Sequence, residues 1–341
     1  MKNVVTSFDI AYKAGVSQST VSRALSDSPL VNKKTRDRIK AIAAELNYKV
    51  DKNASNLRKQ QSKTLALLFF EDPTSDDSSI NPFFVSMLGS ITKATAAQGY
   101  DLLVSFQNLN DDWQALYEDS HKADGLILLG YGSYTDYELK LSQLESQGTR
   151  FLRWGAPDVN HPGISIGSDN VLGGYQITQH LLEQGHKTFA FVGDVTPSAP
   201  ELKARFEGYK QALTEHGLDP DQMLQFDAIS TEQDGYKATS HILDRQTPNA
   251  IVCASDLMAI GAISAIRARG LKVPQDVAVV GYDNIPVSAF STPPLTTVQQ
   301  NTLLAGKLLV ENLLKLINNE PVSDILMPPE LITRDSCGRQ V

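Results

Sequence analysis

From Thr64 onward the sequence repeats one pattern, in which short apolar runs alternate with stretches of helical periodicity. "TLALLFF", "YDLLVSF", "DGLILLG" and "RFLRWG" come first, and "TFAFVGD", "AIVCAS" and "DVAVVGYD" follow. Runs this short and this continuously apolar suit strands buried on both faces, which is the habit of parallel sheets. Between them, "FFVSMLGSITKATAAQG", "TDYELKLSQLESQG" and "DLMAIGAISAIRARG" carry helical spacing. Alternation of this kind predicts an α/β body of two doubly wound subdomains. "PLTTVQQN", leading into the helix "TLLAGKLLVENLLKLIN", would bring the chain back between the halves. A chain of 341 residues with 41% hydrophobic content has the material for two or three domains.

The first 60 residues do not share the pattern. They hold twelve Lys/Arg against five Asp/Glu, a net charge of +7, whereas the whole chain is at -8 and the remainder therefore at -15. A basic head on an acidic body points to a polyanionic partner for the head alone. In "TSFDIAYKAGVSQSTVSRALSD", Thr6 or Ser7 can cap a helix with Phe8, Ile10, Ala11 and Ala14 on one side, and Gly15 ends it. Ser17 caps a second helix with Val21, Ala24 and Leu25 inward, and Asn32 caps a third whose stripe is Ile39, Ile42, Ala43 and Leu46. Helix, Gly-containing turn and helix make a helix-turn-helix, whose second helix enters the DNA major groove. Gln18, Ser19, Ser22 and Arg23 lie on its outer side, where Gln suits adenine and Arg suits guanine. Hydroxyls such as Ser17 and Thr20 suit phosphates. Thr6, Asn32 and Thr35, at the starts of the first and third helices, are counted with them as DNA-binding positions. A small structural three-helix bundle is the alternative for the head.

"DIAYKAGVSQSTVSRAL" followed by "VNKKTRDRIKAIAAELNY" resembles the DNA-binding domain of the lactose-repressor (LacI) family of bacterial transcription regulators, and the likeness runs to about Pro329. The resemblance implies a helix-turn-helix domain over 1–48, a hinge helix or linker over 49–62, and an effector-binding and dimerisation domain over 63–341. The latter would divide into an N-subdomain of about 63–160 and 292–320 and a C-subdomain of about 161–291 and 321–341. In "KVDKNASNLRKQQSK", Ala54 and Leu57 match the family's hinge, so Leu57 would be the wedge that enters the minor groove and kinks the duplex. Val50, Asp51 and Ser55 stand where the family has Pro, Asn and Arg. The body resembles the periplasmic sugar-binding fold.

In open α/β sheets, ligands bind beyond the carboxyl ends of the strands. Asn81, Phe83 and Phe84 of "INPFF", Trp154, Arg205, Ser255, Asp256 and Asp283 all fall at or near such ends. Aromatic faces stack on sugar rings, and Arg and Asp make charge-assisted bonds to hydroxyls. The resemblance assigns effector contacts to Asn81, Phe83, Phe84, Arg205, Ser255 and Asp283, and Gln299 matches a further polar contact. Taken singly, each has a structural alternative: core packing for the Phe residues, an ion pair for Arg205 and a helix cap for Asp256.

Catalytic motifs are missing from the sequence: there is no phosphate-binding glycine loop, no nucleophile elbow and no Cys/His cluster. The six histidines (His121, His161, His180, His186, His216, His241) are scattered singly. Two cysteines, Cys253 and Cys337, give neither a disulfide framework nor metal spacing and fit a reducing cytoplasm. "MKNVVTSFDI" lacks the apolar core of a secretory signal, and no run approaches the ~20 apolar residues that cross a bilayer. The expectation is a cytoplasmic, non-enzymatic regulator, a repressor, with no cofactor, metal or membrane contact. It would bind a palindromic double-stranded operator as a homodimer under control of a small-molecule effector, a sugar. A sugar-binding module without a regulatory role is the alternative, and a nucleotide-dependent α/β enzyme is a third reading.

Overall fold

A computed structural model describes residues 5–48, 61–70, 80–107, 111–130, 134–155, 157 and 162–338. Ala54 and Leu57 lie outside them. Contacts divide the chain into two units, Met1–Ser62 and Lys63–Val341.

In the first unit, helices α1 (Ser7–Ala14), α2 (Gln18–Leu25) and α3 (Lys33–Glu45) share one small core. Ile10, Ala11 and Ala14 of α1 meet Val21 and Ala24 of α2, Val31, and Ile39 and Ala43 of α3. Each boundary has a local chemical cause. At the start of α1, the Asp9 carboxylate accepts hydrogen bonds from the backbone N–H and the hydroxyl of Thr6, both at 2.7 Å. These bonds lower the Asp9 pKa. Gly15 ends α1 in the left-handed region, φ 60°, where a side chain would be strained. The Ser17 hydroxyl accepts from the Thr20 N–H at 3.2 Å, and the Asn32 side-chain oxygen accepts from the Thr35 N–H at 2.8 Å.

The second unit contains two six-stranded sheets. The first has the order β11-β5-β4-β3-β1-β2, all parallel, from β1 (Thr64–Phe70), β2 (Asp101–Gln107), β3 (Leu126–Leu129), β4 (Phe151–Trp154), β5 (Ile164–Ser168) and β11 (Ile325–Met327). The continuous apolar run of β1 is explained by its two faces. Leu65, Leu67 and Phe69 point into a core covered by α4 (Pro82–Ala97) and α10 (Thr302–Ile317). Ala66 and Leu68 point into the opposite core, with Trp113, Tyr117 and, from α5 (Tyr134–Ser146), Leu141 and Leu144.

The second sheet has the order β12-β10-β9-β8-β6-β7, from β6 (Phe189–Val192), β7 (Leu224–Phe226), β8 (Ala250–Cys253), β9 (Ala278–Asp283), β10 (Thr296–Gln299) and β12 (Glu330–Ile332). Among the described residues, only the β10–β12 pairing is antiparallel. Helices α6 (Asn170–Glu183), α7 (Pro200–Glu215), α8 (Glu232–Arg245) and α9 (Asp256–Ala268) flank it.

Sheet membership redraws the expected subdomains. β5 and β11, expected in the second half, pair in the first sheet, while β10, expected in the first half, pairs with β9. The chain therefore crosses between sheets after Ser168, after Gln299 and after Met327. Among the described residues no helix is long and apolar enough to cross a membrane.

Candidate functional site

The outer side of α2 carries the expected DNA-reading residues. Ser22 and Arg23 are exposed, and the Arg23 guanidinium has no hydrogen-bond partner among the described residues. Ser17, Ser19 and Thr20 form a hydroxyl cluster, with the Ser17 oxygen 2.8 Å from that of Ser19 and 2.9 Å from that of Thr20. Gln18 is half-buried and donates from Nε2 to the hydroxyl of Ser7 on α1, at 2.9 Å. Thr6 gives its hydroxyl proton to Asp9. Asn32 is exposed and uses its side-chain oxygen as a cap, while Thr35 is half-buried.

In the second unit, a pocket of about 340 Å³ opens where the carboxyl ends of β9 and β10 meet the start of α4. Phe83 and Ser86 line one wall; Asp283, Asn284, Gln299 and Gln300 line the other, and Leu303 of α10 lies at its edge. Asp283 ends β9 with φ 109° and Asn284 follows with φ 52°, two consecutive left-handed non-glycine residues. Such backbone costs about 1–3 kcal/mol per residue and persists where surrounding bonds hold it. Gln300 supplies one of these, donating from Nε2 to Asp283 Oδ1 at 2.7 Å. Asn284 donates to Gln299 Oε1 at 2.7 Å and accepts from Arg334 at 2.6 Å. Burial pushes the Asp283 carboxyl up to about 6, against the opposing pull of the Arg205 charge and the Gln300 amide.

Arg205 stands behind Asp283. It is 2% exposed, lies 3.8 Å over the Tyr282 ring and donates to Asn170 Oδ1 at 2.9 Å and to the Ala254 carbonyl. Its NH1 is 3.6 Å from Asp283 Oδ1, too long for a hydrogen bond but close enough for strong attraction in a buried site. Asp283 Oδ2 makes no hydrogen bond among the described residues, so one carboxylate oxygen remains for a ligand.

The other expected contacts separate. Asn81 caps α4, accepting from the Phe83 N–H at 3.0 Å, and its buried Nδ2 has no partner among the described residues. Phe84 lies inside the core, edge-on to Phe69 and Phe83. Trp154 is 8% exposed and tilts against Phe83 at 5.9 Å. Ser255 caps α9 by accepting from the Met258 N–H at 3.3 Å, and it also accepts from the Ser230 hydroxyl at 2.7 Å.

Asp256 is fully buried, with both oxygens engaged. Oδ1 accepts from the Thr297 hydroxyl at 2.5 Å and Oδ2 from the Ile285 N–H at 2.8 Å. Gly281 leaves room for this carboxylate against β9. The structure thus makes Asp256 a pin between β9, β10 and α9 rather than a ligand group; burial first, and the neighbouring Asp283 charge second, raise its pKa. Asn284 and Gln300 were missed. Their only sequence signal is adjacency, Asn284 following Asp283 and Gln300 following Gln299. No metal-holding group of His, Cys, Asp and Glu exists among the described residues.

A helix-turn-helix unit and a two-sheet α/β body with a polar pocket at its strand ends together define a DNA-binding transcriptional regulator. Residues 8–51 match the model for bacterial regulatory proteins of the lacI family, and residues 178–337 match the periplasmic binding protein-like domain. The chain is 32% identical over 340 residues to the HTH-type transcriptional repressor PurR of Pasteurella multocida (strain Pm70), covering 96% of this chain and 97% of that one. PurR of Haemophilus influenzae (strain PittEE) is 31% identical over 341 residues, with the same two coverages, 96% and 97%. Among solved structures, the lac repressor dimer bound to operator and the anti-inducer ONPF superposes with a TM-score of 0.82 at 27% identity, covering 98% of this chain and 99% of that one. A transcriptional regulator CelR–cellobiose complex gives 0.70 at 28% identity, covering 97% and 99%. The chain belongs to the lacI family and is a transcriptional repressor of the helix-turn-helix type. These relatives are named as repressors and regulators, not enzymes.

Proposed function

We propose that the chain represses transcription in the cytoplasm as a homodimer on a palindromic operator, and that a sugar bound in the pocket beside Asp283 controls its grip. Two-fold symmetry would double the few base pairs that one α2 can reach. In this reading Gln18 and Arg23 touch base edges, the hydroxyls of Ser17, Ser19, Thr20 and Ser22 and the exposed parts of Thr6, Asn32 and Thr35 meet the backbone, and Leu57 wedges the minor groove. The domain division is a head over 1–48, a connector over 49–62 and a body beyond it.

The observation that carries the effector reading is the pocket wall itself. The carboxylate of Asp283 and three amides, from Asn284, Gln299 and Gln300, line a pocket of about 340 Å³ together with the apolar Phe83 and Leu303. A ring with one apolar face and several hydroxyls fits that division of surface. The sugar-complexed relative supports the same class. A thermal-shift screen of mono- and disaccharides, including cellobiose and ribose, against the full chain tests it, because a specific ligand raises stability by mass action. The expected result is a saturable rise for a narrow set of sugars. A rise only with flat nitrogen heterocycles would replace the sugar assignment.

Arg23→Ala tests the head. It should cost about 1–3 kcal/mol of discrimination at one base pair in each half-site while leaving nonspecific binding largely intact. Competition binding against single-base operator variants measures this, and uniform weakening on all sequences would assign Arg23 to phosphate instead.

A further inference from the structure

We infer that Ser7, on the first helix rather than the reading helix, is a specificity-determining residue that aims the Gln18 amide at its base. The inference rests on Gln18 reading a base edge, as proposed above.

Gln18 is the first residue of α2, and its long side chain has rotatable bonds enough to point its amide in several directions. Within the head it is the reading-face residue whose side-chain end is held by a different helix: Nε2 donates to Ser7 Oγ at 2.9 Å, in a half-buried position. Ser19 and Thr20 engage the cap of their own helix, and Ser22 and Arg23 point into solvent.

Ser7 is itself well placed to hold something still. It is the first turn residue of α1, next to the Thr6–Asp9 box, in which the Asp9 carboxylate accepts from the Thr6 backbone N–H and from the Thr6 hydroxyl, both at 2.7 Å. α1 and α2 are then clamped by Ile10, Ala11 and Ala14 against Val21 and Ala24. The Ser7 oxygen therefore has a set position relative to the Gln18 Cα.

A Gln amide offers two N–H donors and one carbonyl oxygen. Ser7 takes one N–H. The second N–H and the oxygen remain, and these are the two groups that pair with N7 and N6 of adenine. Holding the amide plane in advance removes the cost of ordering it on the operator, so that cost no longer offsets the adenine pair.

The test uses the full chain and a random duplex library, with Gln18→Ala, Ser7→Ala and Ser7→Thr compared by competition binding at every operator position. Gln18→Ala should flatten the preference at one base pair per half-site. Ser7→Ala should lower the preference at that same base pair roughly five-fold, the size of one hydrogen bond, and leave the other positions as they were. Ser7→Thr, which keeps the hydroxyl, should behave as wild type. A merely structural Ser7 would lower the melting temperature of the head and weaken all positions together, and that result overturns the inference. So does an unchanged preference in Ser7→Ala while Gln18→Ala flattens it. If Gln18→Ala alters no base preference, base reading by Gln18 and its aiming by Ser7 fall together.

Discussion

Asp283→Asn is expected to make the body more stable at neutral pH and, in the same stroke, deaf to its effector. The Asp283 carboxyl titrates near 6 in the folded chain, against 3.8 for the free group, because burial outweighs the help of Arg205 and Gln300. Between those two values the folded state holds a proton that the unfolded chain has released. Stability from this group is therefore fully present below about pH 4 and is lost as pH rises through 6. The loss is on the order of 3 kcal/mol at neutral pH, taking ~1.4 kcal/mol per unit. An amide in its place carries no charge to bury, so the variant escapes it. Body melting followed from pH 4 to 7.5 should show the two proteins together at the acid end and the variant ahead by several degrees above pH 6. The same variant has no carboxylate to accept from effector hydroxyls, so the thermal rise given by the sugar found in the screen should vanish. An offset independent of pH would mean that Asp283 is not a strained buried acid, and a retained sugar response would remove it from the pocket.

Such a residue explains which parts of the chain can be read from its letters. Helix caps are local chemistry: Gly15, Ser17 and Asn32 announce their turns because each acts on backbone within a few residues, while at the first helix the letters leave Thr6 and Ser7 equal and the structure selects Thr6. Strands buried on both faces announce themselves as apolar runs, as β1, β3, β6 and β8 do. β5 does not, since "ISIGS" alternates isoleucine with serine and glycine and its place beside β4 is set by pairing alone. β7, β11 and β12 are three residues each, too short to show a period. The general position of the pocket was legible because parallel strands put ligands at their carboxyl ends. The choice between two acids was not. Asp256 and Asp283 both follow apolar runs, and only the three-dimensional bonds from Thr297 and Ile285 make the first a pin and leave the second an open oxygen. Gln300 was hidden for a related reason, since adjacent residues of β10 and its continuation differ in which one reaches Asp283.

Arg205→Ala should do the opposite of Asp283→Asn to stability, and the two together show why a buried cation sits where it does. The guanidinium joins Asn170, just past the first crossing between sheets, to the Ala254 carbonyl at the end of β8 and to the charge of Asp283 at the end of β9. Truncation leaves the Asn170 oxygen and the Ala254 carbonyl without this donor. It also strips Asp283 of its counter-charge inside the protein, where the stacking of the guanidinium on Tyr282 is lost as well. Breaking a buried ion pair from one side typically costs about 3–5 kcal/mol, and here most of it falls on the two orphaned acceptors and the lost stacking, since the carboxylate, already raised to about 6 beside the guanidinium, sheds part of its own cost by taking up a proton. Denaturant melts of the body should show a loss of this order, along with a weaker response to sugar. Adding Asp283→Asn to Arg205→Ala removes the stranded carboxylate, so the stability gained from the second substitution should be larger in the Arg205→Ala background than in the wild-type chain. This difference is the coupling energy of the pair, and contacting residues show values of about 0.5–3 kcal/mol. If the gain is the same with and without the guanidinium, the 3.6 Å approach carries no coupling. Arg205 would then serve only as a brace between Asn170 and Ala254, tying the crossing to the second sheet without charging the pocket.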